Sequence, residues 1–182
     1  MRPTTLLVII LLSACQSQSN QKVKTYWENH TPRIIHTYDN PKDTSTFIRQ
    51  AYYNNGNLFS EGLMINGIQH GTWRWWYKNG VLKDEANLDH GIYFGERKHW
   101  YPNGNPKHFE AIIGKSDKDG TCPNSANQFF YANGLLEQSD TVINGRLNGH
   151  CIYFDSITRH ETHIIYKEGI PDSIYKIQSP TL

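Results

Sequence analysis

The bulky positions of this chain are largely aromatic and fall in short runs separated by turn residues, which predicts short β-strands. One phrase, aromatic-Tyr-x-Asn-Gly, sets the rhythm. It occurs as Tyr52-Tyr53-Asn54-Asn55-Gly56, Trp76-Tyr77-Lys78-Asn79-Gly80, Trp100-Tyr101-Pro102-Asn103-Gly104 and Phe130-Tyr131-Ala132-Asn133-Gly134. The closing glycines are 24, 24 and 30 residues apart, so the third unit carries an insertion of six residues between Gly114 and Phe130. A degenerate copy precedes them at Tyr26-Trp27-Glu28-Asn29-His30, with His30 in the glycine's place, and another follows at Phe154-Asp155-Ser156-Ile157-Thr158. Atypical end units are what caps of a repeat array look like.

A second glycine track keeps the same phase. Gly67, Gly91, Gly145 and Gly169 each stand four residues before Gly71, Gly95, Gly149 and Ser173. Each unit therefore holds two turns, and one unit is one hairpin. The Asn-Gly pair is the strongest short-range hairpin signal and suggests a type I′ turn, since both residues tolerate positive φ. Six hairpins give up to about twelve strands, and at ~4.8 Å per strand a twisted antiparallel sheet on the order of 55 Å long. The expected fold is all-β: an elongated meander of about six hairpin repeats forming one sheet.

Successive residues of a strand point to opposite faces, so the paired aromatics form two columns. One holds Tyr26, Tyr52, Trp76, Trp100, Phe130 and Phe154, the other Trp27, Tyr53, Tyr77, Tyr101 and Tyr131. Two readings stand side by side. The rings pack laterally in a sheet too thin to have an interior, or the face around Trp73, Trp75, Trp76, Tyr77, Trp100 and Tyr101 grips a protein partner, aromatics being frequent in binding hot spots.

The amino-terminal end carries an address. Arg2 supplies positive charge, Leu6 to Leu12 form an unbroken apolar run of seven residues, and small residues follow. Seven residues fall far short of the roughly 20 that a membrane-spanning helix needs. Leu12-Ser13-Ala14-Cys15 resembles the lipobox of bacterial lipoproteins, which implies cleavage before Cys15 and lipidation of that cysteine. The uncharged stretch from Gln16 to Asn20 suits a flexible tether. By resemblance to enterobacterial sorting, the lack of an acidic residue beside the cysteine favours the outer membrane over the inner. The chain thus divides into a leader over 1–14, an anchor and tether over 15–25, a repeat domain over 26–177 and a tail over 178–182.

Composition removes several classes of function. With 18 basic and 17 acidic side chains in 182 residues there is no basic footprint for nucleic acid. His160-Glu161-Thr162-His163 places its histidines three apart in an expected strand, not four apart on a helix, and so does not make a zinc motif. Asp117-Lys118-Asp119-Gly120 lacks the remaining ligands of a calcium loop. No metal, cofactor or catalytic residue is expected, nor is an enzyme, glycan hydrolysis included, since no paired acid and base can be placed. Cys122 and Cys151 occupy the phase of Trp73. An oxidising envelope favours their pairing, whereas equivalent positions about 9.6 Å apart exceed the ~7 Å reach of a disulfide; the insertion beside Cys122 leaves the bond open.

On these residues, from Tyr26 to Ile177, the chain resembles the MORN-repeat variant family. Its motif is the Tyr-x-Asn-Gly turn followed by Asn-Gly-x-x-x-Gly, as in Asn66-Gly67-Ile68-Gln69-His70-Gly71. The resemblance implies a sheet of hairpins that serves protein or membrane association, with no catalytic residues. Some members carry an antitoxin label, which implies neutralisation of a partner toxin as the alternative. The expectation from anchor and repeat together is a lipid-anchored envelope module that binds or scaffolds another protein, of open oligomeric state.

Overall fold

The computed structural model describes residues 20–114, 124–158 and 160–177. The leader with Cys15, the insertion with Cys122 and the turn at 117–120, and the tail over 178–182 lie outside them. The described residues form no helix, only strands and turns. Five hairpins come first. They pair β1 (Gln21–Tyr26) with β2 (Pro32–Thr37), β3 (Thr46–Tyr52) with β4 (Leu58–Ile65), β5 (Ile68–Trp76) with β6 (Leu82–Asp89), β7 (Ile92–Trp100) with β8 (Pro106–Gly114), and β9 (Asn124–Phe130) with β10 (Leu136–Ile143). The short β11 (Arg146–Leu147) and β12 (Gly149–Phe154) share one strand's place before β13 (Glu161–Lys167), and β14 (Ile170–Ile177) ends the sheet. Strands lie in chain order in one open antiparallel sheet of fourteen strands. Against the twelve expected, the additional two are β14 and the split between β11 and β12. The sheet also begins earlier than expected: Val23 and Thr25, β-branched residues read as tether, pair with Ile35 and Ile34.

The two turns of each unit differ in kind, and type I′ geometry falls at the second of them, not at the Asn-Gly after the aromatic pair where the sequence reading expects it. After the aromatic pair, Tyr53 N donates to the Asn57 carbonyl at 2.8 Å and Gly56 N to the Tyr53 carbonyl at 3.0 Å. Only Gly56 has positive φ, at 86°, so this is a type I turn closed by a left-handed bulge residue, not a type I′ turn. Tyr77 to Val81, Tyr101 to Asn105 and Tyr131 to Leu135 repeat it. His30 stands at the bulge position of the first hairpin with φ 62°, the conformation that the glycine phase demands. The type I′ turns are the other set: Asn66-Gly67, His90-Gly91, Asn144-Gly145 and Glu168-Gly169 have both residues at positive φ.

The glycines four residues further on mark bulges. Glu61 pairs with Arg74 and Leu63 with His70, so β5 spends three residues opposite Gly62 alone. On β7, Gly95 and Glu96 are inserted between the partners of Ala86 and Asn87. The step from β11 to β12 likewise sets 148–151 against 140–141 of β10. Two extra residues at one place in each unit bend the strand and increase twist. At the first of these bulges lies the main packing centre. Trp73 is only 1% exposed, and its indole covers the backbone at Gly62 so closely that a Cβ there would meet the ring at 2.2 Å. Its Nε1 donates to the Leu63 carbonyl at 3.1 Å. Ala86 and Leu88 are buried beside it, with Met64 and Trp75 packed around them. Glycine serves here because a neighbouring ring takes the place of its side chain.

Candidate functional site

The turn aromatics join each repeat to the next. Trp27 Nε1 donates to the Tyr52 carbonyl at 3.0 Å. The hydroxyls of Tyr53, Tyr77, Tyr101 and Tyr131 donate to the carbonyls of Trp76, Trp100, Phe130 and Phe154 at 2.7–2.9 Å. Beside that ladder runs a second one. Asn29, Asn79 and Asn103 each donate Nδ2 to a carbonyl of the following turn, that of Asn54, Pro102 and Ala132, at 2.8–2.9 Å, and Asn55 reaches Lys78 at 3.2 Å. A buried or half-buried phenol or indole needs a partner for its polar tip, and Trp27, Tyr53, Tyr77, Tyr101 and Tyr131 spend theirs on the neighbouring repeat.

The aromatics read as a candidate binding face fall into this ladder or into the core. Trp73 is core, because the bulge opposite Gly62 turns its ring inward. Trp76, Tyr77, Trp100 and Tyr101 are half-buried and belong to the inter-repeat ladder through side chain or carbonyl. Trp75 lies half-buried with its ring 5.8 Å from that of Trp73. The bond weighed between Cys122 and Cys151 rests on Cys122, outside the described residues; Cys151 itself is buried, and burial pushes its thiol up.

Pairing registers assign the side chains to two unlike faces. The packed face carries the Trp73 cluster and a polar track. Across β5 to β9, Trp75, Asp84, His99, His108 and Phe129 stand side by side in register. His99 Nδ1 is hydrogen-bonded to Asp84 Oδ1. The His99 and His108 rings stack at 5.5 Å, and His108 stacks on Phe129 at 4.2 Å. Burial pushes the Asp84 carboxyl up, but the bonds from His99 and Lys83 outweigh it and hold the group below its ordinary range. In the adjoining column Arg97 Nη1 donates to Glu110 at 3.1 Å and lies 4.2 Å over the Tyr93 ring. Asn127 Nδ2 donates to Asp140 Oδ1 at 2.9 Å and is buried with it. Trp75, Lys83, Asp84, Tyr93, Arg97 and His99 line an open groove of ≈ 260 Å³. Among the described residues no buried side-chain nitrogen or oxygen lacks a partner. Charges and rings in this track are committed to one another.

The opposite, open face carries what is not committed. Ile65, Ile68, Leu63 and His70 share it through their pairing, as do Asp89 with Ile92 and Asn87 with Phe94. Ile92 is 70% exposed and Phe94 49%, with Ile68 and Ile113 also exposed. Ile68, Ile92 and Ile170 are the residues just after the type I′ turns, so the row follows the repeat. Sequence reading missed it, since a single isoleucine per unit raises no signal until the turns bring the units into line.

Compared with known families, residues 48–66, 69–90 and 95–108 match the MORN repeat variant, one hairpin to each match. These three hairpins are thus similar to MORN-variant repeats. The hairpins on either side follow the same turn and ladder chemistry. A comparison with curated proteins gives no match.

Proposed function

We propose that this protein is a lipid-anchored module of the bacterial cell envelope, held in the outer rather than the inner membrane, that binds or scaffolds another protein and catalyses no reaction. The exposed apolar row on the open face carries the reading. Scattered single apolar side chains are ordinary on a surface, but Ile68, Ile92, Phe94 and Ile113 crowd one edge region of one face, and such patches mark interaction sites. The partner is a protein presenting a complementary apolar strip, since Arg74, Glu61 and Glu85 border the row on the same face and are paired with one another across the strands. The lipobox-like Leu12-Ser13-Ala14-Cys15 and its polar tether support the anchor.

A photo-crosslinking side chain placed at Ile113 of the full chain, expressed in its own membranes, tests this. One discrete protein adduct, lost in the Ile92→Glu and Phe94→Glu variants and reduced when Cys15→Ala removes the anchor, is expected. Adducts that persist in both glutamate variants, or adducts to lipid alone, would overturn it.

A further inference from the structure

We propose that His70, Asp89 and His90 form a surface site for a divalent first-row transition ion, with Zn²⁺ as its occupant. The three lie on separate pieces of the sheet: His70 within β5, Asp89 as the last residue of β6, and His90 as the first residue of the type I′ turn that leads into β7. What joins them is a docked turn. Gly91 N donates to the Gln69 carbonyl of β5 at 2.9 Å, beyond the strand pairing itself. That bond draws the His90 ring to 4.6 Å from the His70 ring, edge to face. Asp89 Oδ1 then lies 2.8 Å from His90 Nδ1 and 3.6 Å from His70 Nδ1, and one donor atom from each of the three falls within 4.8 Å of the others.

These separations suit a metal. Zinc binds imidazole nitrogen and carboxylate oxygen at about 2.0–2.2 Å in tetrahedral geometry, which places its ligands about 3.3 Å from one another. The observed 2.8 and 3.6 Å lie on either side of that value and the third separation is within 4.8 Å, so the set closes on an ion by side-chain rotation. Two imidazoles and one carboxylate select zinc, copper or nickel over magnesium and calcium, which prefer oxygen alone. Three protein ligands leave a fourth position for water or an incoming group.

The other histidine pairs of the sheet are closed to an ion. His163 is buried and uses one ring nitrogen on His150 and the other on Glu161. His99 and its bonded Asp84 are only 27% and 22% exposed and the His99 ring is stacked on His108, whereas the Asp89–His90 bond lies open at the surface. At the proposed site the Asp89 and His90 side chains are 68% and 73% exposed while His70 is 15% exposed: one ligand is held by packing and two are open to an ion arriving from solvent. Bound there, the ion ties the turn to β5 in the midst of Ile68 and Ile92. The site stands independently of the partner reading.

Asn occupies the same turn position, with φ 50° and 51°, at Asn66 and Asn144. His90→Asn therefore removes a ligand and keeps the turn. The untagged full chain, stripped of metal, is titrated with Zn²⁺ by calorimetry beside His90→Asn and Asp89→Asn, and its melting is followed with and without the ion. One equivalent of Zn²⁺ should bind the unaltered chain, and both variants should bind at least about tenfold more weakly, the lower end of what loss of a mere supporting contact costs a metal site. Without metal His90→Asn should melt as the unaltered chain does, and with Zn²⁺ only the unaltered chain should gain in melting temperature, as binding to the native state alone requires. Equal affinity in His90→Asn, lack of saturable binding, or a cobalt-substituted spectrum with thiolate charge-transfer bands would each overturn the site.

Discussion

Asn55, Asn79 and Asn103 each work at both ends of the side chain. Asn79 Oδ1 accepts from Val81 N at 3.1 Å, closing its own turn, and Asn79 Nδ2 donates to the Pro102 carbonyl of the next repeat at 2.9 Å. An aspartate can do the first but not the second. Asparagine and aspartate both close such a turn by accepting from the backbone two residues on, so Asn79→Asp separates the two accounts of this residue. We expect Asn79→Asp to destabilise the sheet by about 1 kcal/mol, the net worth of one hydrogen bond, in urea unfolding at neutral pH; an unchanged midpoint would mean that turn geometry alone selects the asparagine. The repeat of this residue was legible in the sequence, and its second partner was not, because that partner lies 23 positions away on another turn. Trp73 teaches the same point. Its place in an aromatic cluster suggested exposure, and only the bulge opposite Gly62 reveals why it is the deepest ring in the protein.

At the scale of strands, the packed face makes the sheet acid-sensitive. Burial pushes the His108 imidazole down, with His99 and Arg97 adding to it against the opposing pull of Asn127 and Glu110. Burial also pushes His36 down, and Lys24 and Arg49 add to that. A histidine whose folded pKa is lowered takes up its proton in the unfolded chain first, so stability declines as pH falls below the unfolded value of about 6.5. Asp84 acts in a lower window: its depressed carboxyl contributes stability above the unfolded value of about 3.9, which is lost as pH falls through the folded one. Melting temperature should therefore fall between pH 7 and about 5.5, and His108→Gln should flatten that slope whatever it does to stability at neutral pH. A slope unaltered in His108→Gln would place the acid sensitivity elsewhere. The hairpins that carry these groups were readable from the two glycine tracks. Their registers were not, since the bulges at Gly71, Gly95 and Gly149 shift pairing by two residues and decide which side chains become neighbours. For the same reason nothing in the sequence brings His70 toward His90: that meeting depends on Gly91 docking on Gln69.

The described residues form a single layer, and its stability is distributed along one dimension. With no second layer over either face among the described residues, each inner strand is stabilised by its two neighbours, as in repeat arrays, where stability is a sum of unit and interface contributions. Those contributions are unequal here. The Trp73, Ala86 and Leu88 cluster, with Met64 and Trp75, belongs to β4, β5 and β6, while every residue of β14 is exposed and that strand has one neighbour among the described strands. Local opening should therefore begin at the carboxyl-terminal end and reach the Trp73 hairpin last. Hydrogen exchange followed by mass spectrometry should find the amides of β4 to β6 the most protected and those of β14 the least, with a gradient between them through β13 and β12. Uniform protection across the sheet would show instead that the tyrosine and asparagine ladders couple the repeats so tightly that they open as one. In that case the exposed row on the open face would belong to a rigid surface throughout, and a partner seated on Ile92 would be felt equally at both ends.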